Sequence, residues 1–174
     1  PLSAEDIQDK VTPGFRPQHK ISYIDKEKWF RKLTDGLKAL HETRNTAKTK
    51  IIIAQLKRTH CDIQLSNPSR STIAPSELYE LKKKAVVAVG HLYKCENCDK
   101  FHTGTASGFL VTSTGVMITN YHVVDKPQAA VMGAMTYDGK VYPVKGVLAA
   151  DMRNDIAVLQ LEGDEFSCLS LFPG

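Results

Sequence analysis

The sequence predicts a mainly β protein, in which a six-stranded antiparallel barrel follows a largely helical N-terminal segment. Three observations support this fold class. Six short apolar runs follow residue 85, turn-forming residues separate them, and helical spacing of apolar residues is confined to the region before them. Short strands at regular spacing with turn signals between them are typical of small barrels. We therefore divide the chain into an extension over residues 1–84 and a barrel over residues 85–174.

The extension is predicted to contain two helices. The first begins after Asp25, a residue type that suits an N-cap, and Gly36 weakens its pattern. A second, short helix is predicted from Pro75, because proline is tolerated in the first turn. The apolar residues at helical spacing in the first helix are expected to be core rather than partner surface. They are Trp29, Phe30, Leu33, Leu37 and Leu40.

The rest of the extension is less regular. Residues 1–26 mix proline, glycine and charge, and predict an irregular arm. Residues 51–56 fit both a strand and a helix face. Alternation over residues 61–65 predicts a short strand, and residues 66–71 have the composition of a turn or linker. If the extension packs on the barrel, it is either structural or a cover for a functional site.

Six predicted strands form the barrel. Ser113-Thr114-Gly115 and Asp138-Gly139 are hairpin signals, the second because Asp-Gly suits the positive φ angles of a tight turn. The strands are predicted over residues 85–89, 107–111, 116–119, 129–136, 141–148 and 155–161.

Composition excludes several classes of protein. Hydrophobic residues make up 42% and charged residues 24% of the 174 residues, which is ordinary globular usage and argues against disorder. The net charge of +4 comes from scattered lysines without an aromatic platform, so we expect a solvated surface and no nucleic-acid partner. No apolar run approaches the roughly 18–20 residues that a membrane span requires.

Two motifs each place an ionisable residue next to a strand-like apolar run. His122 lies within Thr-Asn-Tyr-His-Val-Val at residues 119–124, and is predicted at a strand end. Asp155 directly precedes Ile-Ala-Val-Leu. A histidine so placed can act as a general base, and a carboxylate can orient it. Asp151 also precedes the last predicted strand and therefore competes with Asp155 for the acid role.

Together with Ala-Ser-Gly-Phe-Leu-Val-Thr at residues 106–112, these motifs resemble the trypsin/chymotrypsin-like serine peptidases, most closely the bacterial trypsin-like and HtrA-type branch. The resemblance covers about residues 85–162, and implies the first barrel of a chymotrypsin-like double barrel. It implies that His122 is the general base and that Asp155 holds its tautomer and stabilises the imidazolium. It further implies a peptide or protein substrate and a periplasmic or secreted location.

The chain departs from this family in one respect. The family's nucleophile lies in a Ser-Gly-Gly loop of the second barrel, whose backbone N–H groups form the oxyanion hole, and no Ser-Gly-Gly occurs here. Ser107, Ser113, Ser167 and Ser170 lack that context. We therefore expect the chain alone to be inactive, with the serine in a longer parent protein or a separate cleaved chain. The alternative is a degenerate barrel that binds without cutting, which is less favoured because the chain ends where a connection between barrels would begin.

Cys95-x₂-Cys98-x₃-His102 has the spacing of a zinc knuckle, to which His91, His60 or Cys61 would add a fourth ligand. A disulfide and free thiols also remain open, and four cysteines in a chain of this length do not decide the redox compartment. The motif is expected to brace the hairpin before the His122 strand. A zinc-braced interaction domain with an incidental His122 is a weaker alternative. From the sequence we assign no cofactor and no metal-binding residue.

Overall fold

The computed structural model describes residues 25–44, 46–66 and 72–171. The predicted irregular arm over residues 1–26 lies outside these ranges except for its last two residues, and the predicted linker over residues 66–71 lies outside them except for Ser66. None of the helices in these ranges combines the length and the apolar character that crossing a bilayer requires.

The strands form a closed antiparallel barrel in the order β1-β2-β3-β6-β5-β4, with β4 pairing back onto β1. This confirms the predicted fold class. The strands are β1 Val86–Lys94, β2 Phe101–Leu110, β3 Val116–Thr119, β4 Ala129–Met135, β5 Val141–Asp151 and β6 Ile156–Leu161. The helices are α1 Lys26–Thr43, α2 Thr49–Gln55, α3 Pro75–Lys82 and α4 Tyr121–Val124, with a 3₁₀ turn over Lys83–Ala85.

Both predicted hairpin turns are present. Gly115 has a φ of 90° in the β2–β3 turn, and Gly139 has a φ of 85° in the β4–β5 turn. These values lie in the region that glycine adopts without steric cost. In the second turn the Thr136 hydroxyl donates to the Asp138 carboxylate, and the Gly139 N–H donates to the Thr136 carbonyl over 2.8 Å.

The barrel interior is filled by side chains from all six strands. Each fully buried leucine or valine there contributes roughly 1.5–3 kcal/mol by leaving water. The interior residues below about one-tenth exposure include Val87, Val89, Leu110, Met117, Val144, Val147, Leu159 and Leu161.

Helix α1 packs across β1, β4 and β5. Its N-cap is Asp25, whose side chain accepts a hydrogen bond from the Lys28 N–H over 3.0 Å. Leu33 and Leu37 are fully buried against strand residues. Gly36, which weakened the sequence pattern, lies where a Cβ would overlap the side chain of Val141. The missing side chain therefore lets the helix approach the sheet closely.

The expected apolar stripe of α1 is only partly core. Trp29 is 37% exposed and Phe30 is 40% exposed, so the prediction that they belong to the core is wrong. Leu33 and Leu37 meet the barrel, whereas Trp29 and Phe30 lie a full turn nearer the helix start, where less of the barrel covers them. Helical periodicity alone does not report where a helix stops crossing the barrel.

Helix α2 resolves the ambiguity over residues 51–56 in favour of a helix. Ile52 and Leu56 point into the barrel core. Gln55 reaches an irregular stretch of β5, where its Oε1 accepts a hydrogen bond from the Val147 N–H over 2.8 Å. The pairing register of β5 with β6 shifts just before Gly146 and again just after Val147. The Gln55 side chain thus supplies the Val147 N–H with an acceptor that the irregular ladder does not provide.

The strand predicted over residues 61–65 is wrong. This segment has no regular secondary structure. The barrel is closed, so it offers no free edge on which another strand could pair. Arg58, three residues before this segment, bonds to the backbone of β5: its carbonyl accepts from the Ala150 N–H and its guanidinium donates to the Val147 carbonyl, each over 2.7 Å.

The predicted short helix is present as α3, with Pro75 in its first turn. It buries none of its side chains, unlike α1 and α2. The helices before the barrel therefore differ in their relation to it, and the division of the chain at residue 84 stays a prediction.

Candidate active site

His122 lies in a single helical turn rather than at a strand end. Strand β3 ends at Thr119, and residues 121–124 form α4, with Asn120 in extended conformation before it. His122 therefore does not lie at the strand end as predicted, but three residues after the last residue of β3. The two valines that follow His122 are buried in the barrel core, and this burial turns the chain inward after Asn120.

The pairing of β3 with β6 brings the two motifs together. In this antiparallel register Thr119 lies opposite Ala157. The residues just after β3 therefore meet those just before β6, although they are far apart in the sequence. The Thr119 hydroxyl is buried and donates to the Ser107 carbonyl over 2.8 Å, which fixes the end of β3 against β2.

His122 and Asp155 are in direct contact. The imidazole Nδ1 lies 2.7 Å from Asp155 Oδ2, and the His122 backbone N–H donates to Asp155 Oδ1 over 2.9 Å. The carboxylate thus binds both the ring and the main chain of the same residue. With a carboxylate as acceptor, Nδ1 carries the proton, and Nε2 is left with a lone pair.

Asn120 is a third member of this arrangement. Its Nδ2 donates to Asp155 Oδ2 over 3.1 Å and to the Asp155 carbonyl over 3.2 Å. The hydrogen bond from the His122 backbone N–H is the main cause that holds the pKa of the Asp155 carboxyl below its ordinary value. Burial opposes it, and the His122 ring, by hydrogen bond and charge, and Asn120 add smaller lowering effects. The carboxylate is therefore ionised wherever the protein is folded near neutral pH.

Sequence reasoning did not assign a role to Asn120. The available signal was its place two residues before His122 in the Thr-Asn-Tyr-His motif. Its contact with Asp155 depends on barrel closure across 35 residues of sequence, which no local pattern reports.

Asp155 has a left-handed backbone conformation, with a φ of 54°. Few residues other than glycine adopt this region, although aspartate and asparagine do so several-fold more often than most. The turn directs the side chain back towards α4 while the next residue starts β6. The position therefore constrains both the backbone and the side chain.

Asp151 is the last residue of β5, where it pairs with Ile156, so the expectation that it belongs to the loop is wrong. Its Oδ1 accepts a hydrogen bond from the Asn154 backbone N–H over 3.0 Å, and its Oδ2 accepts one from the Asn154 side chain over 2.7 Å. These bonds lower the pKa of the Asp151 carboxyl. Both oxygens serve to close the β5–β6 turn, and Asp155 alone binds the histidine.

The pair is open to solvent on one side. The His122 side chain is 68% exposed and that of Asp155 is 42% exposed. Within the described ranges, no side chain hydrogen-bonds to Nε2 of His122. Ser107 lies on β2, and its main-chain carbonyl accepts the hydrogen bond of the Thr119 hydroxyl. The arrangement can thus accept a proton from a group that approaches from outside.

Part of the chain is similar to a known protein family. Residues 106–174 match the family model of the trypsin-like peptidase domain. Over these residues the chain is similar to the trypsin-like peptidases. The match runs from the second half of β2 through β6, and it contains both His122 and Asp155.

The solved structures that are similar to this chain include an HtrA-type protease, AlgW with the substitution S227A, with a tripeptide. It is 17% identical in sequence, with a TM-score of 0.47, and the alignment covers 57% of this chain and 30% of that one. The chain therefore spans less than a third of that protease. No curated protein matches the chain in sequence.

Proposed function

We propose that this chain is the part of a trypsin-like serine endopeptidase that supplies the general base and its orienting carboxylate. His122 is the base and Asp155 orients it. The observation that carries the proposal is the 2.7 Å contact between His122 Nδ1 and Asp155 Oδ2, which leaves Nε2 as the free proton acceptor. The match of residues 106–174 to the trypsin-like peptidase domain supports the same assignment.

The proposed reaction requires a serine that this chain does not provide. A Ser-Gly-Gly segment is absent from the sequence, so the nucleophile and the oxyanion hole come from a second barrel, in the same parent protein or in a separate chain. A solvent-exposed Nε2 is what such a partner needs, because the serine hydroxyl must reach within hydrogen-bond distance of it.

The proton then follows a closed path. Nε2 takes the proton of the serine hydroxyl as its oxygen attacks the peptide carbonyl. Asp155, already ionised, stabilises the imidazolium that forms, and the imidazolium gives the proton to the leaving amine. A water molecule repeats both transfers when it hydrolyses the acyl-enzyme, so the histidine ends neutral. The substrate is a peptide or protein, and the proposed location is periplasmic or secreted.

Labelling with a fluorophosphonate probe tests this function in the parent protein that includes the serine-bearing barrel. The probe reacts with serines whose hydroxyl is activated by a base. We expect rapid labelling of the wild type and its loss in His122→Ala. His60→Ala is the matched control, because His60 is exposed and its ring bonds only to the neighbouring Thr59.

Two results would overturn the proposal. Unchanged labelling in His122→Ala would remove His122 from the base role. An intact, folded wild-type parent that binds peptides but neither labels nor cleaves them would instead identify a peptidase-like binding module.

A further inference from the structure

Three metal-ligating side chains converge at the tip of the β1–β2 hairpin, away from the His122–Asp155 pair. They are Cys95, Cys98 and His102, and one ligand atom from each lies within 4.8 Å of the other two. Cys98 Sγ lies 3.1 Å from His102 Nε2. The hairpin strands pair up to Lys94 and Phe101, so the two cysteines lie in the connecting loop and the histidine lies on the returning strand.

We propose that Cys95, Cys98 and His102 bind one Zn²⁺ ion, with a water molecule or an external group as the fourth ligand. Zinc–sulfur bonds of about 2.3 Å and zinc–nitrogen bonds of about 2.0 Å give a tetrahedron with edges of roughly 3.5–3.8 Å. The 3.1 Å between Cys98 Sγ and His102 Nε2 and the 4.8 Å limit on the other two separations bracket these edges. Two thiolates and a neutral imidazole match the charge and softness of Zn²⁺.

The loop that carries the two cysteines is a closed turn. The Cys95 N–H donates to the Lys100 carbonyl over 2.8 Å, which closes the loop. Asp99 adopts a left-handed φ of 54° at the point where the chain reverses. These features hold Cys95 and Cys98 within one short turn.

The histidine is also held in place. Tyr93 lies opposite His102 across the hairpin, and their rings stack with centroids 5.9 Å apart. The ring of His91 also contacts Tyr93, with centroids 5.7 Å apart. This stack limits the rotation of the His102 ring and keeps its Nε2 towards Cys98.

The other candidate ligands named by the sequence do not join the cluster. His60, Cys61 and His91 have no ligand atom within the group, and neither have the carboxylates of Glu96 and Asp99 in the described part of the chain. Asp99 instead pairs with Lys94 over 2.9 Å. All four cysteines are free thiols in this structure, so the cysteines in the loop are available as ligands.

The position of the site indicates a structural role for the metal. The hairpin tip and the His122–Asp155 pair lie at the same end of the barrel, because β1 and β3 end there and β2 and β6 begin there. Binding converts two thiols to thiolates and releases their protons to solvent. The ion would then tie the loop to the returning strand β2, whose other half contacts β3.

Cobalt substitution tests the site on the full chain. The reduced, metal-free protein is titrated with Co²⁺, which should give a thiolate-to-cobalt charge-transfer band and the intense visible bands of a tetrahedral site, saturating at one equivalent. Zn²⁺ should displace the cobalt and raise the midpoint of thermal unfolding. Cys98→Ser and His102→Gln should lose the tetrahedral bands. Cys61→Ser and His60→Gln are the matched controls and should keep them.

A second measurement needs no variant. Zn²⁺ should protect Cys95 and Cys98 from alkylation while Cys61 and Cys168 react as before, as read by mass spectrometry of peptides. Absence of cobalt bands in fully reduced, folded protein would overturn the proposal. A Cys95–Cys98 disulfide in protein purified without oxidant, or equal alkylation of all four cysteines with zinc present, would overturn it as well.

Discussion

The His122–Asp155 pair and the cluster of Cys95, Cys98 and His102 lie at the same end of one barrel, yet they are assembled differently. The pair joins residues 33 apart in sequence, and it exists only because β3 pairs with β6. The cluster lies within one hairpin, whose own turn and strand pairing place all three ligands. The first site depends on the whole barrel, whereas the second depends on local structure.

This difference has a physical cause. Bringing distant segments together costs loop-closure entropy that barrel packing must offset, whereas a hairpin loop closes over few residues. The two sites should therefore respond differently to changes in the barrel core and to changes in local hydrogen bonds. The following experiments separate these responses.

The largest effect is expected for the pair itself. Asp155→Asn in the parent protease should lower kcat by roughly 10⁴-fold, because the amide no longer fixes the protonated Nδ1 tautomer. Steady-state hydrolysis of a peptide substrate measures this, with Asp151→Asn as the matched control, since the Asp151 carboxylate bonds to Asn154 and not to His122. Equal losses in the two variants would show that Asp155 has no special role.

Leu159→Ala should distinguish the two sites by stability. Leu159 is fully buried on β6, and its truncation should reduce the free energy of unfolding by about 2–5 kcal/mol. Chemical denaturation measures the loss, and Leu81→Ala is the control because Leu81 is 56% exposed. At temperatures where the variant is still folded, the cobalt spectrum of the hairpin should be unchanged. A spectrum lost together with stability would show that the hairpin site also needs the barrel.

Asn120→Ala should have a smaller effect on the pair. It removes two hydrogen bonds to Asp155 and leaves both contacts of Asp155 with His122. Since a hydrogen bond to a charged group contributes about 1.5–3 kcal/mol at most, and this site is open to water, we expect a loss of about tenfold in kcat/KM. Asn154→Ala, which alters only the Asp151 loop, should stay near wild type. No change in Asn120→Ala would show that the two contacts with His122 position the carboxylate without help from Asn120.

The smallest effect concerns pH and stability. Because the folded pKa of Asp155 lies below its unfolded value, its stabilising contribution is present above the unfolded pKa and is lost as pH falls through the folded one. The difference in unfolding midpoint between wild type and Asp155→Asn should therefore be constant above about pH 5 and shrink below about pH 4. A difference that grows on acidification would contradict the hydrogen-bonding pattern.

The barrel could be predicted from the sequence, because its strands and turns depend on the types of neighbouring residues. The run over residues 116–119 and the Asp-Gly turn at 138–139 appear where expected. The strand expected over residues 61–65 failed for a non-local reason, since alternation does not report whether a sheet edge is free. Trp29 and Phe30 failed likewise, because burial depends on how far the barrel extends under α1.

The candidate site shows the same division. The contact between His122 and Asp155 followed from two motifs that resemble a known family, and the catalytic roles stay a prediction. The helical turn at His122 and the part played by Asn120 could not be inferred, because both arise where β3 meets β6. The Cys-x₂-Cys-x₃-His spacing is visible in the sequence. Whether the three side chains converge depends on the path of the hairpin loop, which the spacing does not determine.

The left-handed backbone at Asp155 restricts how the proposed activity could be lost during evolution. Asparagine tolerates that conformation nearly as well as aspartate, whereas alanine or valine would strain the turn. Substitution of Asp155 by asparagine would thus abolish the proposed catalytic activity while the barrel stays folded. Descendants of such an ancestor would keep their shape and could take up new roles, and the residue at this one position would reveal their history.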